Sequence, residues 1–224
     1  MKQIRSNILR GGKVIEVLIN LEIIFFIIIF IFTNQIKIYA IFILFAFIHE
    51  LSHLVVGLIL GFRIRKIMMM PFGFKIIFKK DKDENETKNI KKSQLKKMVV
   101  DIAGPVSNII IMIIGLVFHL HFDIIYSNLI IAIFNLIPIY PLDGGRIINS
   151  FLNIKTDKIK AYKITNRISN MSIIAVSILT SVLILYVKNI AIGFAVAYLW
   201  YVVIRENKKY KLLCKMYYII ENNN

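Results

Sequence analysis

Two histidines and a glutamate interrupt an apolar run at residues 45–53, FAFIHELSH. On a helix, His49 and His53 lie on one face, so their imidazoles can hold one metal ion while Glu50 lies beside them. This spacing is typical of helices that bind catalytic zinc. The alternative is a pair of histidines that hydrogen-bond within a helix bundle. Ionisable groups at membrane depth are unfavourable unless they face a cavity or one another, which favours the metal site.

A catalytic zinc site uses three protein ligands and leaves a position open for water, so a third ligand must come from elsewhere. The best candidate is Asp143, in the segment NLIPIYPLDGGR at 135–146. Two prolines break the helix there, and Gly144 and Gly145 are expected to let the backbone turn sharply. The alternative role for Asp143, a cap for the next segment, explains an Asp-Gly pair but not its depth in the membrane.

These side chains must be positioned by the elements of a membrane protein. The chain has 224 residues, of which 58% are hydrophobic, and a mean hydropathy of +0.70. This is too apolar for an ordinary soluble domain, and the apolar blocks are long enough to cross a bilayer. We predict an all-α integral membrane protein with about six transmembrane helices. The predicted spans lie near residues 14–32, 38–61, 98–118, 124–141, 171–187 and 190–204.

The basic residues lie between the apolar blocks and not on one soluble face. Despite a net charge of +16, this pattern argues against a nucleic-acid partner. All of the 29 Lys and Arg residues except Lys37 and Lys188 fall on one side of the predicted topology. We therefore expect a multi-pass protein of the cell membrane with both termini in the cytoplasm. One six-span domain is expected over residues 1–205, followed by a short cytoplasmic tail over 206–224.

The segment 66–78, KIMMMPFGFKIIF, is apolar but too short to span a bilayer. Because Pro71 and Gly73 disfavour a continuous helix, we predict a short re-entrant, β-hairpin-like segment that lines a cavity. The alternative is an interfacial loop whose Met and Phe side chains dip into lipid. An extended edge here would add a substrate strand through backbone hydrogen bonds, and we expect Gly73 and Phe74 to bind the substrate.

Two polar features outside these motifs have alternative explanations. Asn108, in AGPVSN at 103–108, is deep enough in its span to hydrogen-bond near the site, or it packs between helices. The basic segment 150–170 is interpreted as an interfacial helix attracted to anionic lipid, the alternative being that it docks the soluble part of a substrate. Its basic residues are Lys155, Lys158, Lys160, Lys163 and Arg167.

The order of these motifs resembles that of the site-2 protease family of intramembrane zinc metalloproteases, peptidase family M50, over about residues 38–150. The compact layout and the form PLDGGR at 141–146 are most similar to the sporulation protein FB type, whose members cleave a membrane-associated sigma-factor precursor in endospore formers. The resemblance implies that His49, His53 and Asp143 bind one zinc ion per chain. It further implies that Glu50 is the catalytic base and that Asn135 and Pro141 help to hold the substrate.

The leading hypothesis is therefore a zinc metalloendopeptidase that cleaves a membrane-embedded or membrane-associated protein, such as a sigma-factor precursor in sporulation, by regulated intramembrane proteolysis. The expected partners are this substrate, inhibitory membrane proteins and anionic lipid, without nucleic acid. A metal ion transporter and a non-catalytic membrane adaptor are the alternatives. A transporter would favour polar residues spaced along a continuous path, and binding alone would not require Glu50.

Overall fold

The computed structural model describes residues 3–10, 13–20, 36–70, 73–78, 87–187 and 190–222, together with positions 24, 27, 28, 31, 32 and 34. The chain divides into two compact units, Met1–Phe134 and Asn135–Asn224. The first unit contains a four-stranded sheet and the helix that carries both site histidines. The secondary-structure elements described in the second unit are helices.

The sheet of the first unit has the strand order β1-β2-β3-β4. β1 and β2 pair antiparallel, as do β3 and β4, whereas β2 and β3 are parallel. A parallel pair requires a crossover connection, and here the chain between β2 and β3 contains helix α1. The bounds are β1 Gln3–Arg10, β2 Lys13–Asn20, α1 Ile36–Ile59, β3 Ile64–Met70 and β4 Gly73–Phe78.

Strand β2 corrects the prediction of a first transmembrane helix over 14–32. Residues 14–20 pair with β1 on one side, and residues 16–19 pair with β3 on the other; residues 21–35 are described only in part. The sequence KVIEVLIN is rich in β-branched residues, and so short an apolar run cannot be assigned to helix or strand from periodicity alone. The prediction of an all-α fold did not contain this sheet.

The segment predicted to be hairpin-like, 66–78, falls in β3 and β4. These strands place Met69 opposite Phe74 and Met70 opposite Gly73. Pro71 and Phe72 lie outside the described residues. The re-entrant position of this segment in a membrane stays a prediction.

Helix α1 has one buried face and one exposed apolar face. The buried face includes Phe45, Ala46, His49, His53 and Gly57. On the opposite side, five large apolar side chains expose between 42% and 55% of their surface. An apolar face of this size is unfavourable in water and favourable against hydrocarbon, and the 24 residues of α1 suffice to cross a bilayer. The exposed residues are Leu44, Phe47, Leu51, Val55 and Leu58.

Helix α1 ends in a Schellman motif built on Gly61. The φ angle of Gly61 is +86°, a conformation that a residue with a Cβ rarely adopts. The N–H of Phe62 donates to the Gly57 carbonyl at 2.9 Å, and the N–H of Gly61 donates to the Leu58 carbonyl at 3.0 Å. These two bonds satisfy carbonyl groups in the last turn and fix the direction of the chain towards β3.

Gly57 allows strand β4 to pack directly against α1. A Cβ at residue 57 would come within 2.4 Å of the Phe78 ring. The Phe78 ring also packs against Phe62, with the ring centroids 5.5 Å apart. The end of β4 is therefore held against the helix that carries both histidines.

Helices α2, Thr87–Val117, and α3, Phe122–Leu136, follow the sheet. Helix α2 contains the AGPVSN motif, with Pro105 inside the helix. Helix α3 is shorter than the predicted span 124–141. It ends at Leu136 because Pro138 disfavours the helical conformation at the preceding residue, Ile137.

The second unit contains α4 Asp143–Lys155, α5 Lys158–Val187 and α6 Ile190–Asn222. The predicted basic helix over 150–170 is divided between the end of α4 and the start of α5. Helix α6 continues through most of the predicted tail. The rings of Tyr162 on α5 and Tyr210 on α6 stack with centroids 6.5 Å apart, which fixes these helix ends together.

Among the described residues, three helical segments are long and apolar enough to cross a membrane: Ile36–Ile59, Lys91–Val117 and Lys158–Tyr186. Helix α3 is also apolar but has only 15 residues. These segments agree with a membrane protein. The prediction of six spans and of two cytoplasmic termini stays a prediction.

Candidate metal centre

Helix α1 places His49 and His53 side by side in the protein interior. His49 exposes 3% and His53 exposes 2% of its surface. The rings meet edge to face, with centroids 4.7 Å apart and an interplanar angle of 85°. Their Nε2 atoms are 3.1 Å apart. The spacing of four residues therefore brings one nitrogen of each ring to the same point.

The second ring nitrogen of His53 is held by the backbone of α2. Its Nδ1 lies 2.6 Å from the carbonyl oxygen of Val100. Because a carbonyl oxygen only accepts hydrogen bonds, His53 carries its proton on Nδ1 in this contact. In the neutral ring, the lone pair of Nε2 then faces His49.

The second ring nitrogen of His49 is held by a side chain of α2. Its Nδ1 lies 2.5 Å from Oδ1 of Asn108, which is completely buried. Of the two roles considered for Asn108, hydrogen bonding near the site is therefore the observed one. In both histidines Nδ1 is engaged by α2 and Nε2 is directed to the shared point.

This arrangement fits a metal ion. Two neutral imidazoles that both donate through Nδ1 bring two Nε2 lone pairs to within 3.1 Å in a buried place. Such lone pairs repel each other, and a cation bound to both removes the repulsion. Imidazole nitrogen is a preferred ligand of zinc, and a hydrogen bond at the other ring nitrogen is the usual support of a ligating histidine.

Gly104 is the position at which α2 approaches the two rings. A Cβ at residue 104 would lie 2.3 Å from Nε2 of His53 and 2.6 Å from Nε2 of His49. Both rings are hydrogen-bonded to α2 at their far sides, so neither can move away freely. The absence of a side chain at residue 104 is therefore part of the site.

Asp143 is the first residue of helix α4 in the second unit, where it exposes 4% of its surface. Leu142 occupies the N-cap position, so the alternative role of Asp143 as the cap of this helix does not apply. The guanidinium of Arg146 donates to Oδ1 of Asp143 at 3.4 Å. A carboxylate in the first turn of a helix also interacts favourably with the helix dipole.

Gly144 and Gly145 allow the start of α4 to approach the preceding backbone. A Cβ at residue 144 would lie 2.2 Å from the carbonyl oxygen of Leu136, and one at residue 145 would lie 2.3 Å from the backbone nitrogen of Tyr140. Both glycines are helical, which corrects the prediction that they form a sharp turn. Their role is close packing against residues 136–140.

His49 and His53 in the first unit and Asp143 in the second are all buried, and each offers a candidate ligand atom for a metal ion. Glu50 lies next to His49 on α1 and is half-buried. Two imidazoles and one carboxylate are a ligand set found in catalytic zinc sites with an open position.

The residues predicted to bind substrate lie on helix α3, in the loop that follows it and on strand β4. Asn135 is in the last turn of α3 and is half-buried, as is Pro141, which follows Tyr140 through a cis peptide bond. Gly73 and Phe74 are the first two residues of β4. Their role in binding substrate stays a prediction.

Val100 and Asn128 also belong to the site but were not predicted from the sequence. Val100 acts through its backbone carbonyl, which leaves no signal in the side-chain pattern. Asn128 is completely buried in the apolar helix α3 and hydrogen-bonds to Asn108. A polar residue in the middle of an apolar helix was the signal that could have drawn attention to it.

Comparison with known proteins shows the family to which the chain belongs. The family model of Peptidase family M50 matches residues 37–123 and 117–179, ranges that together include His49, Glu50, His53 and Asp143. The chain belongs to peptidase family M50. The M50 match thus extends from helix α1 into helix α5.

Two curated relatives are similar to part of this M50 chain. A zinc metalloprotease of Methanocaldococcus jannaschii is 34% identical over 132 residues, which cover 54% of this chain and 36% of the relative. Stage IV sporulation protein FB of Bacillus subtilis is 30% identical over 124 residues, which cover 52% of this chain and 40% of the relative. The matched region thus spans less than half the length of either relative.

A solved structure shares the fold of this M50 chain. The site-2 protease from Methanocaldococcus jannaschii superposes with a TM-score of 0.66 at 23% sequence identity. The match covers 92% of this chain and 95% of that one.

The substitution Gly104→Ala is expected to weaken zinc binding. Its methyl group would collide with both Nε2 atoms and force the rings or α2 to move, and disturbing the support of a zinc ligand typically weakens metal affinity by about 10- to 100-fold. Zinc affinity of the purified protein is measured by competition with a chelator. The matched control is Gly115→Ala on the same helix, where the added methyl would meet only the side chain of Ile125. Wild-type affinity in Gly104→Ala would contradict this role.

Proposed function

We propose that the chain is an intramembrane zinc metalloprotease, which hydrolyses peptide bonds of proteins embedded in or attached to a membrane. The observation that carries the proposal is the buried pair of His49 and His53, with their Nε2 atoms 3.1 Å apart, on a helix long enough to span a bilayer. Membership of peptidase family M50 supports it. So does the 34% identity to a zinc metalloprotease.

In this proposal His49, His53 and Asp143 bind one zinc ion per chain. The burial of all three residues and the ligand atoms that they offer support the assignment. Zinc in such a set polarises a peptide carbonyl and lowers the pKa of a water molecule towards about 7. Arg146, which donates to Oδ1 of Asp143, helps to orient the carboxylate.

Glu50 is proposed as the general base. It follows His49 directly on α1 and is half-buried, so it lies at the edge of the interior that holds the two rings. Its carboxylate accepts the proton of the attacking water and later delivers that proton to the leaving amine. A glutamate in this position would not be needed for metal binding alone.

The substrate is proposed to bind in an extended conformation. A transmembrane helix uses its own backbone N–H and C=O groups in hydrogen bonds, so its peptide bonds become accessible only after local unwinding. β4 is the last strand in the order of the sheet, and such a strand can pair with an added one. Gly73 and Phe74 are proposed to contact the substrate at the start of β4. Asn135 and Pro141, which are close to Asp143 in the sequence, are also proposed to hold the substrate.

A finer proposal concerns the biological setting. The 30% identity to a stage IV sporulation protein FB supports a role in sporulation, with a membrane-associated sigma-factor precursor as substrate. The protein would then be a multi-pass protein of the cell membrane with cytoplasmic termini. Inhibitory membrane proteins and anionic lipid are proposed as its further partners.

The substitution Glu50→Gln is expected to abolish cleavage while zinc stays bound. An amide cannot accept the proton of the attacking water, and a general base typically contributes about 10²- to 10⁴-fold to the rate. The chain and its variant are each co-expressed with a membrane-tethered candidate substrate, and cleavage is followed by immunoblot. Zinc content is measured on the same purified proteins.

The matched control for this experiment is Ser52→Ala. Ser52 lies on the same helix, and its hydroxyl donates to the Ile48 carbonyl one turn earlier at 2.9 Å. The Ser52→Ala variant should still cleave the substrate. Equal cleavage by the wild type and Glu50→Gln would refute the role of Glu50 as the general base. Zinc-loaded wild type that cleaves none of a panel of membrane-tethered substrates would favour transport or an adaptor role instead.

The substitution Gly73→Pro is expected to reduce cleavage without changing zinc content. Proline removes a backbone N–H at the start of β4, opposite Met70, and restricts φ, so the strand is less able to pair with a substrate. Cleavage and bound zinc are measured as for Glu50→Gln. Gly73→Ala, which keeps the N–H, is the control. Normal cleavage by Gly73→Pro would remove β4 from the substrate-binding proposal.

A further inference from the structure

Asn128 is a buried polar residue to which the proposed chemistry assigns no role. It is completely buried on α3. Its Nδ2 donates to the carbonyl oxygen of Ile124 at 2.8 Å, and its Oδ1 accepts from Nδ2 of Asn108 at 2.8 Å. Asn108 in turn contacts Nδ1 of His49. Two side chains thus connect a backbone carbonyl of α3 with a candidate zinc ligand.

The direction of this chain of hydrogen bonds is fixed at its far end. The Ile124 carbonyl only accepts, so the amide of Asn128 must turn its Nδ2 towards it and its Oδ1 towards Asn108. Asn108 must then present Nδ2 to Asn128, which leaves its Oδ1 for His49. An oxygen opposite Nδ1 requires the proton of His49 to be on Nδ1, so the lone pair is on Nε2.

The two histidines differ in how firmly this protonation is set. His53 faces the Val100 carbonyl, a group that cannot present a donor. His49 faces an amide, which could present either oxygen or nitrogen after a half-turn. With the amide of Asn108 reversed, Nδ1 of His49 would accept and Nε2 would carry the proton, which would block metal binding at that atom. Asn128 opposes the reversal because two Oδ1 atoms would then face each other.

We propose that Asn128 is a positioning residue that fixes the orientation of Asn108 and thereby keeps the Nε2 lone pair of His49 directed at the metal ion. This inference rests on the proposed function, since it assigns a residue to the same metal site. It gives a physical reason for a pair of buried asparagines between two apolar helices.

The substitution Asn128→Leu tests this role, since leucine has a similar volume and makes no hydrogen bonds. Zinc affinity should fall by about 10- to 100-fold, the range typical for loss of a group that orients a metal ligand. In the metal-free protein, ¹⁵N NMR of labelled histidine should show His49 protonated partly on Nε2, whereas in the wild type the proton is on Nδ1. The matched control is Ser127→Ala, a buried neighbour on α3 outside the chain of hydrogen bonds, which should change neither readout.

A second substitution distinguishes positioning from packing. In the double variant Asn108→Asp with Asn128→Leu, the carboxylate at residue 108 has only acceptor oxygens and holds the Nδ1 proton of His49 in either orientation. Zinc affinity and the Nδ1–H signal should therefore return. If Asn128→Leu does not fold, Asn128→Ser carries the same test, because its hydroxyl can donate to the Ile124 carbonyl but is too short to reach Asn108.

The outcomes separate this inference from the proposed function. If Asn128→Leu matches the wild type in zinc affinity and in the NMR signal, the inference is overturned. It is also overturned if affinity falls and Asn108→Asp does not restore it, because Asn128 would then act only in packing. If the wild type itself binds no zinc, the proposed function fails, while the protonation of His49 in the metal-free protein still tests the role of Asn128.

Discussion

The packing of the first unit depends on one requirement: the nitrogens of two imidazole rings buried in an apolar interior need hydrogen-bond partners. Each ring brings two polar nitrogens out of water, and burying such groups without hydrogen bonds is strongly unfavourable. Helix α2 satisfies the Nδ1 atoms with the Val100 carbonyl and the Asn108 amide. The Nε2 atoms are thereby directed to one point, where a cation is the natural partner. The position of α2 against α1 is therefore set by chemistry as well as by packing.

Glycine provides the close approaches that this arrangement requires. At Gly57, Gly104, Gly144 and Gly145 an added Cβ would lie between 2.2 and 2.4 Å from another atom of the protein. Within a membrane, helices gain little from hydrophobic attraction, and close contact at small residues supplies van der Waals packing in its place. In each unit, the helix with the candidate ligands is held by contacts of this kind. Larger residues at these positions would move the ligands, so their small size has a functional consequence.

The parts of the site that depend on one helix could be predicted from the sequence. His49 and His53 share a face because of helical geometry alone, and this holds in any tertiary arrangement. The acceptors of their Nδ1 atoms lie 47 and 59 residues away, and only the packing of α2 on α1 selects them. Asn108 was a candidate because of its depth, whereas Val100 carries no side-chain signal.

The fold shows the same division between local and tertiary information. The ends of α1 and α3 follow from Gly61 and Pro138, whose backbone preferences are local. Strand β2 was predicted as part of a helix because its apolar run suits both, and its pairing with β1 and β3 decided the outcome. Extended structure over 66–78 was predicted from the Pro-Phe-Gly break, but the parallel pairing of β2 with β3 was not, because it depends on chain segments far apart in the sequence.

The most direct test of the metal centre is X-ray absorption at the zinc edge of the purified, zinc-loaded protein. The proposed ligand set predicts one zinc ion per chain with two imidazole nitrogens at about 2.0–2.1 Å and the remaining ligands oxygen. Replacing His53 with alanine should remove one imidazole from the spectrum. A zinc ion with sulfur ligands, or a spectrum without imidazole scattering, would contradict the proposed metal centre.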